Sequence, residues 1–429
     1  MKTKDALQRN FLQILPFILL GTAYAVRQMS FPADFGDDIA FANALESRTL
    51  WQFVIMRYQS WTSRILWEPF TVLFLSNAFT IFLWRLGSTL CVIFLAWFFT
   101  RLAWRVADNE KLSSAWISCI AVFCVPWEFL KEAGTVCTSL LYQWALAAAA
   151  AAALPLLEAP RRVPGWQLCL GAVMCVWAAN MEQVCVLLLF LMGGYTLYRL
   201  IAGEDGWHYS AVCTILCGLE LVFHLVICPG NRARLDSEII YWFGDYNMLS
   251  LPQKMEIAFS STMLWVVDFG ELFWGCAYLL IAVVCLKNAR GILLRLIGCA
   301  PFPLWFILGF LPENMAAFPK MPVQLTHWGT ITIENSGNLM AYLSFLIWVA
   351  FLTLLVCSVY IAMGHGPWTL LAEGLLAAGF GTRLMMGLSP TIWASGKRTF
   401  LILHVCMAAV VIFCLAAWRG KQQGVQRAQ

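Results

Sequence analysis

Asp34, Asp37 and Asp38 stand within five positions of one another in the stretch Phe31-Pro-Ala-Asp-Phe-Gly-Asp-Asp-Ile-Ala-Phe41. Paired carboxylates suit two tasks. One can act as general base on an acceptor hydroxyl, its pKa raised by its neighbour's charge. Together they can hold a divalent cation through oxygen ligands. A plainer reading is also open: Gly36 breaks the chain, and Asp37 or Asp38 caps a helix over 39–50.

Four more polar stretches interrupt the apolar sequence. Tyr58-Gln-Ser-Trp61-Thr-Ser-Arg64 offers an Arg that could grip a phosphate through two N–H groups beside a Trp that could stack on a sugar. The same pair also fits a snorkelling Arg beside an interfacial Trp. Asn180-Met-Glu182-Gln183 places a carboxylate in a very short turn, where it needs a partner, a cation or a proton. In Cys228-Pro-Gly-Asn231-Arg232-Ala-Arg234, Pro and Gly stop a helix and two Arg follow, a pattern that suits an anion. Ser389-Pro390-Thr391 precedes Lys397 and Arg398 near the start of the last apolar run. Within apolar runs lie Arg85, Glu220, His224 and Glu373. Glu220 and His224 share a helix face at i, i+4, as either a proton relay or a satisfied buried pair. His327 and Trp328 fall in a long loop and could meet a substrate.

The elements that must position these residues are membrane spans. Apolar residues make up 61% of the 429 residues and charged residues 12%. A soluble domain is about half apolar and a quarter charged, so lipid must solvate much of this surface. A net charge of +4 gives no reason to expect a nucleic-acid partner. Runs of about 18 to 25 apolar residues predict an all-α, polytopic bundle of about twelve spans. They fall near 11–28, 81–104, 113–130, 138–157, 166–180, 183–201, 208–227, 263–285, 292–311, 339–363, 367–387 and 399–418. The apolar stretch 65–80 is shorter and reads as a helix lying at the interface. With it excluded, Lys111, Arg161, Arg162, Arg199, the segment 287–295 and the tail share one side, which the positive-inside rule makes cytoplasmic, with both termini. The opposite side then holds loops 29–64, 228–262 and 312–338. It also holds more cations than the rule expects, which suits an anionic ligand. Most of the 16 cysteines sit within apolar runs without metal-ligand spacing and read as packing residues. No repeat or long linker divides the chain, so one membrane domain over 1–429 is the simplest organisation.

The order of these stretches resembles a family of multi-pass bacterial membrane proteins related to the GT-C class of glycosyltransferases. The resemblance rests on an Asp-Asp loop after the first span, an aromatic-x-x-Arg at re-entry, an Asn-x-Glu turn, a Pro-Gly-Asn-x-x-Arg break and a late Ser-Pro segment with Arg. It covers most of the chain and is strongest over 31–68 and 226–236. At re-entry the family has a Trp-Asn-Gly-Arg-like pattern, where this chain has Trp61-Thr-Ser-Arg64. The resemblance implies transfer of a sugar from a polyprenyl-phosphate carrier to a glycan, lipid or protein on the outer face of the cytoplasmic membrane. It makes Asp37 or Asp38 the base, with a divalent cation sometimes nearby. Arg64, Arg232, Arg234 and Arg398 become candidates for the carrier phosphate, and Asn180, Glu182, Asn231 and Lys397 join them as donor contacts. A transporter or flippase for an anionic or lipid-linked solute is the rival reading, with Arg85, Glu220, His224 and Glu373 as its charges. A non-catalytic assembly subunit is a third.

Overall fold

The computed structural model describes residues 2–107, 111–158, 163–315, 317, 337 and 339–428. Every regular element among them is helical. Nine described helices are long and apolar enough to cross a bilayer, and a tenth span results if one bent helix pair counts as one. The chain is a multi-pass membrane protein. Two expected spans fall outside this count, each for a physical reason. Gly165–Ala179 has only 15 residues, about 22 Å of helix against a hydrocarbon core of about 30 Å. Pro367–Leu384 has the length but carries Glu373 and Arg383.

The chain forms two compact units. The first comprises 1–102, 111–242 and 393–402, and the second 103–110, 243–392 and 403–429. In the first unit the spans Phe11–Met29, Ala78–Val106 and Thr135–Glu158 lock through side chains that would otherwise be unsatisfied in lipid. The Gln143 amide donates to Tyr24 Oη and to the Ser88 carbonyl, both at 2.9 Å. Trp144 donates to Ser88 Oγ at 2.9 Å and Trp84 to Ser139 Oγ at 2.6 Å. Gly87 lets the Trp144 ring lie against the Ala78–Val106 helix where a Cβ would collide with it.

Three short helices follow the first span: Asp37–Ala42, Leu50–Ser60 and Glu68–Phe74. Thr49 and Gln52 cap the second reciprocally, Gln52 N–H to Thr49 Oγ1 at 3.3 Å and Thr49 N–H to Gln52 Oε1 at 2.9 Å. The third is seven residues, about 10 Å long, too short to cross. Arg57 binds the Glu68 carboxylate through Nε at 2.6 Å and Nη2 at 2.5 Å, tying the second helix to the third.

In the second unit the expected span 263–285 is interrupted. The helices Leu251–Asp268 and Leu272–Asn288 meet at 74°. The turn at the break needs Gly270, whose φ of +60° favours glycine and whose missing Cβ admits the Phe310 backbone. Gly309 sits directly on the Val267 carbonyl, where any side chain would clash with backbone. The unit is further tied by Asn288 Nδ2 donating to the Ala362 carbonyl at 2.6 Å and Tyr278 Oη to the Val266 carbonyl at 3.1 Å. Because the obstacle at Gly309 is main chain, Gly309→Ala is expected to cost about 1–3 kcal/mol. The readout is the melting temperature of the detergent-solubilised protein, and an unchanged value would show that the break relaxes freely.

Candidate functional site

Polar connections between helices at one end of the first unit carry most of the residues singled out above. The re-entering segment after Leu50–Ser60 is the first. Its main chain turns too sharply for a helix, so its amides need other partners. Ser63 N–H donates to Asn231 Oδ1 at 3.0 Å, and Leu66 N–H to Asn180 Oδ1 at 2.9 Å. Asn180 Nδ2 returns a bond to the Ser63 carbonyl at 3.1 Å. Asn231 Nδ2 donates to Ser63 Oγ and to the His224 carbonyl, both at 2.8 Å. His224 Nδ1 lies 2.6 Å from Ser63 Oγ, and its Nε2 lies 2.9 Å from the Ala179 carbonyl. Gly230 completes the joint: a Cβ there would come within 2.6 Å of Trp61 N and Tyr58 O. The three stretches 61–66, 179–182 and 224–231 are thus one hydrogen-bonded knot.

Arg64 leaves this knot in a defined direction. Its Nε donates to both Glu182 oxygens, at 3.2 and 2.9 Å. Its two terminal nitrogens make no hydrogen bond among the described residues, and the side chain is 21% exposed. Desolvation disfavours the charge, but the Glu182 carboxylate outweighs it and holds the guanidinium above its ordinary pKa.

The acidic loop is held by a different turn. Asp38 is fully buried, and its two carboxylate oxygens accept the N–H groups of Val136 at 2.8 Å and Cys137 at 2.9 Å. These amides open the Thr135–Glu158 span, so Asp38 caps a helix distant in sequence and not the one it begins. Burial pushes its carboxyl above the usual carboxylate range, and the amide hydrogen bonds from Cys137 and Val136 pull it back. Asp37 is the exposed member of the pair, and its carboxylate has no partner among the described residues. Its backbone N–H donates to the Ala133 carbonyl at 2.6 Å.

The residue before Ala133 reaches the last stretch. Glu132 Oε2 accepts the Arg398 N–H at 2.9 Å and packs against Gly396, whose φ of +62° the turn requires. Gln183 Nε2 donates to the Thr399 carbonyl at 3.2 Å. Lys397 Nζ lies over the Phe129 ring at 5.7 Å. The Arg398 side chain is half-buried and makes no ion pair among the described residues.

Asp37, Asp38, Arg64, Asn180, Glu182, Asn231, Lys397 and Arg398 therefore stand on connections that hydrogen bonds join to one another. Arg232 and Arg234 stand outside it. Arg232 is exposed, and Arg234 Nε is bound to Glu238 at 2.7 Å. Trp61 carries both the Arg57 and Arg234 guanidiniums over its ring, at 5.7 and 5.5 Å. Arg85 donates to the Gln28 and Phe31 carbonyls at 2.8 and 3.1 Å, and so closes the end of the first span. His327, Trp328 and most of loop 312–338 lie outside the described residues.

No protein-family model, curated protein or solved structure matches this chain. A divalent cation at Asp37 and Asp38 does not fit the site's geometry, because both Asp38 oxygens already face backbone amides. No group of three or more His, Cys, Asp or Glu side chains among the described residues could hold a metal ion. Sequence reasoning missed Ser63, Glu132 and Gln183. Glu132 carried a usable signal, a carboxylate beside Gly134 in a short turn between two apolar runs. Ser63 and Gln183 carried none, since neutral polar side chains at span ends are common.

Different roles for the paired carboxylates follow. Asp38→Asn sets an NH2 group against a backbone N–H and is expected to cost about 1–3 kcal/mol. Asp37→Asn should change stability by less than about 0.5 kcal/mol. Thermal unfolding of the two variants in one detergent separates them, and equal losses would contradict the assignment of Asp38 as the cap.

Proposed function

We propose that the protein is a membrane glycosyltransferase of the GT-C type that uses a polyprenyl-phosphate-linked sugar on the outer face of a bacterial cytoplasmic membrane. One observation carries the reading. The Asp37 carboxylate, the terminal nitrogens of Arg64 and the Arg398 guanidinium have no hydrogen-bond or ion-pair partner among the described residues, and they stand on connections bonded to one another through Glu132, Ala133, Gln183 and Thr399. A lipid-linked donor needs this set. Its phosphate rests at the interface while its tail stays in the bilayer, so the cations belong at span ends. The acceptor hydroxyl needs a base that is accessible and not already bonded, which selects Asp37 over Asp38.

In this scheme Asp37 takes the proton of the acceptor hydroxyl as its oxygen attacks the anomeric carbon. The bond from that carbon to the phosphate oxygen breaks, and the departing polyprenyl phosphate carries the negative charge. Arg64 and Arg398 stabilise that charge as it develops. The fold expected with this chemistry is the GT-C bundle of about twelve crossings with both termini cytoplasmic. In that count the short Gly165–Ala179 helix and the charged Pro367–Leu384 helix cross as well.

A transport reading has one feature in its favour. Discontinuous spans with charged residues at the break are a device of transporters. Here Asp268 and Glu271 flank the 74° break, with the Glu271 carboxylate 3.2 Å from His404 Nε2. Of the charge pair that reading drew on first, His224 is instead part of the knot that holds Ser63, with the Glu220 carboxylate 3.9 Å from its Nε2. Undecaprenyl phosphate binding and surface glycans distinguish the two. Arg64→Ala and Arg398→Ala should each weaken undecaprenyl phosphate binding about tenfold, the loss of one charged hydrogen bond. Asp37→Asn should bind it normally and abolish the surface glycan that depends on the protein. Wild-type glycans from Asp37→Asn cells would count against transfer by this carboxylate.

A further inference from the structure

His224 is in a membrane span and nothing in the scheme above uses it. It is 2% exposed, and both its ring nitrogens are engaged. The Glu220 carboxylate stands farther off, 3.9 Å from Nε2. The Ala179 carbonyl can only accept, so Nε2 carries a hydrogen. Ser63 Oγ already accepts from Asn231 Nδ2, so its own hydrogen is directed to Nδ1. Every donor then meets an acceptor. We infer that His224 acts through Ser63 as a positioning residue for Arg64, and so for the carrier phosphate that Arg64 contacts in the proposed function.

The mechanical logic is local. Arg64 is the residue next to Ser63, and its backbone is set by what holds Ser63. Ser63 is held at its N–H by Asn231, at its carbonyl by Asn180 and at its hydroxyl by His224. Asn231 and Asn180 come from two different connections, and the ring of His224 joins both by reaching Ala179 beside Asn180. With Ser63 fixed, the Arg64 side chain leaves at one angle, giving Nε to Glu182 and keeping its terminal nitrogens for a ligand. A looser Ser63 lets the guanidinium turn and present those nitrogens to Glu182 instead. The phosphate site would then be neutralised by its own neighbour. The inference rests on the reading of Arg64 as a phosphate contact, but the positioning itself is a property of the ligand-free protein.

Two isosteres divide the two bonds of the ring. Asn places an acceptor where Nδ1 stands and keeps the Ser63 bond, whereas Gln places a donor where Nε2 stands and keeps only the Ala179 bond. The first readout is the 15N resonance and hydrogen exchange of the Arg64 Nε–H in the ligand-free protein. His224→Asn should retain the protected signal, and His224→Gln should lose it. The second readout is affinity for undecaprenyl phosphate in micelles. His224→Gln should bind about tenfold more weakly, one lost hydrogen bond's worth of alignment, and His224→Asn within about threefold of wild type. The double variant His224→Gln/Arg64→Ala should bind no more weakly than Arg64→Ala alone, because the effect passes through Arg64. A merely structural histidine gives the opposite pattern: similar losses for Asn and Gln, and additive losses in the double variant. Either result overturns the positioning role. A protected Nε–H in His224→Gln overturns it as well. If the Nε–H pattern holds while Arg64→Ala binds undecaprenyl phosphate like wild type, the positioning of Arg64 stands and the carrier reading fails.

Discussion

Ser63 is where three connections between membrane helices are joined, and the first unit's polar end depends on that joint. The constraint behind it is severe. A chain that leaves a helix near a membrane must satisfy its freed amides and carbonyls without bulk water. Here two asparagine side chains do so, each supplying one donor and one acceptor to the same short segment. Side-chain amides suit the task because they carry both functions and no charge. The result is rigid main chain where a regular helix could not bend sharply enough.

From that joint the ionic groups follow in order. Glu182 opens its span beside Asn180, close to the positive end of the helix dipole, which favours its charge and its grip on Arg64. Gln183 ties the same turn to the start of the last span. Glu132 and Ala133 tie that start to the acidic loop. Asp38 is spent on the N-terminus of the Thr135–Glu158 helix, and its burial leaves Asp37 as the carboxylate that faces out. The division of labour between adjacent, chemically identical residues comes from orientation alone.

Much of this was legible in the sequence, for identifiable reasons. Apolar runs announce spans because lipid tolerates little else, and the stretch 65–80 read as a non-crossing segment for lack of length. Asn180, Glu182, Asn231 and Arg64 stood out because polar residues at span ends are conspicuous against apolar neighbours. Their mutual bonding was not legible, since sequence separations above 100 carry no distance information. Two local features of the spans were not legible either. The break at Gly270 depends on close packing against Phe310, and Pro367–Leu384 has an apolar look that Glu373 and Arg383 undercut. Arg234 and Trp61, both attractive as ligand contacts, are absorbed by Glu238 and by each other.

In the proposed function the terminal nitrogens of Arg64 and the guanidinium of Arg398 meet one phosphate. A cryo-electron microscopy structure of the protein in nanodiscs containing undecaprenyl phosphate tests it most directly. Phosphate density is expected within about 3 Å of the terminal nitrogens of both residues, with the Arg64 Nε still on Glu182. Density elsewhere, or Arg64 and Arg398 facing separate surfaces, would contradict it.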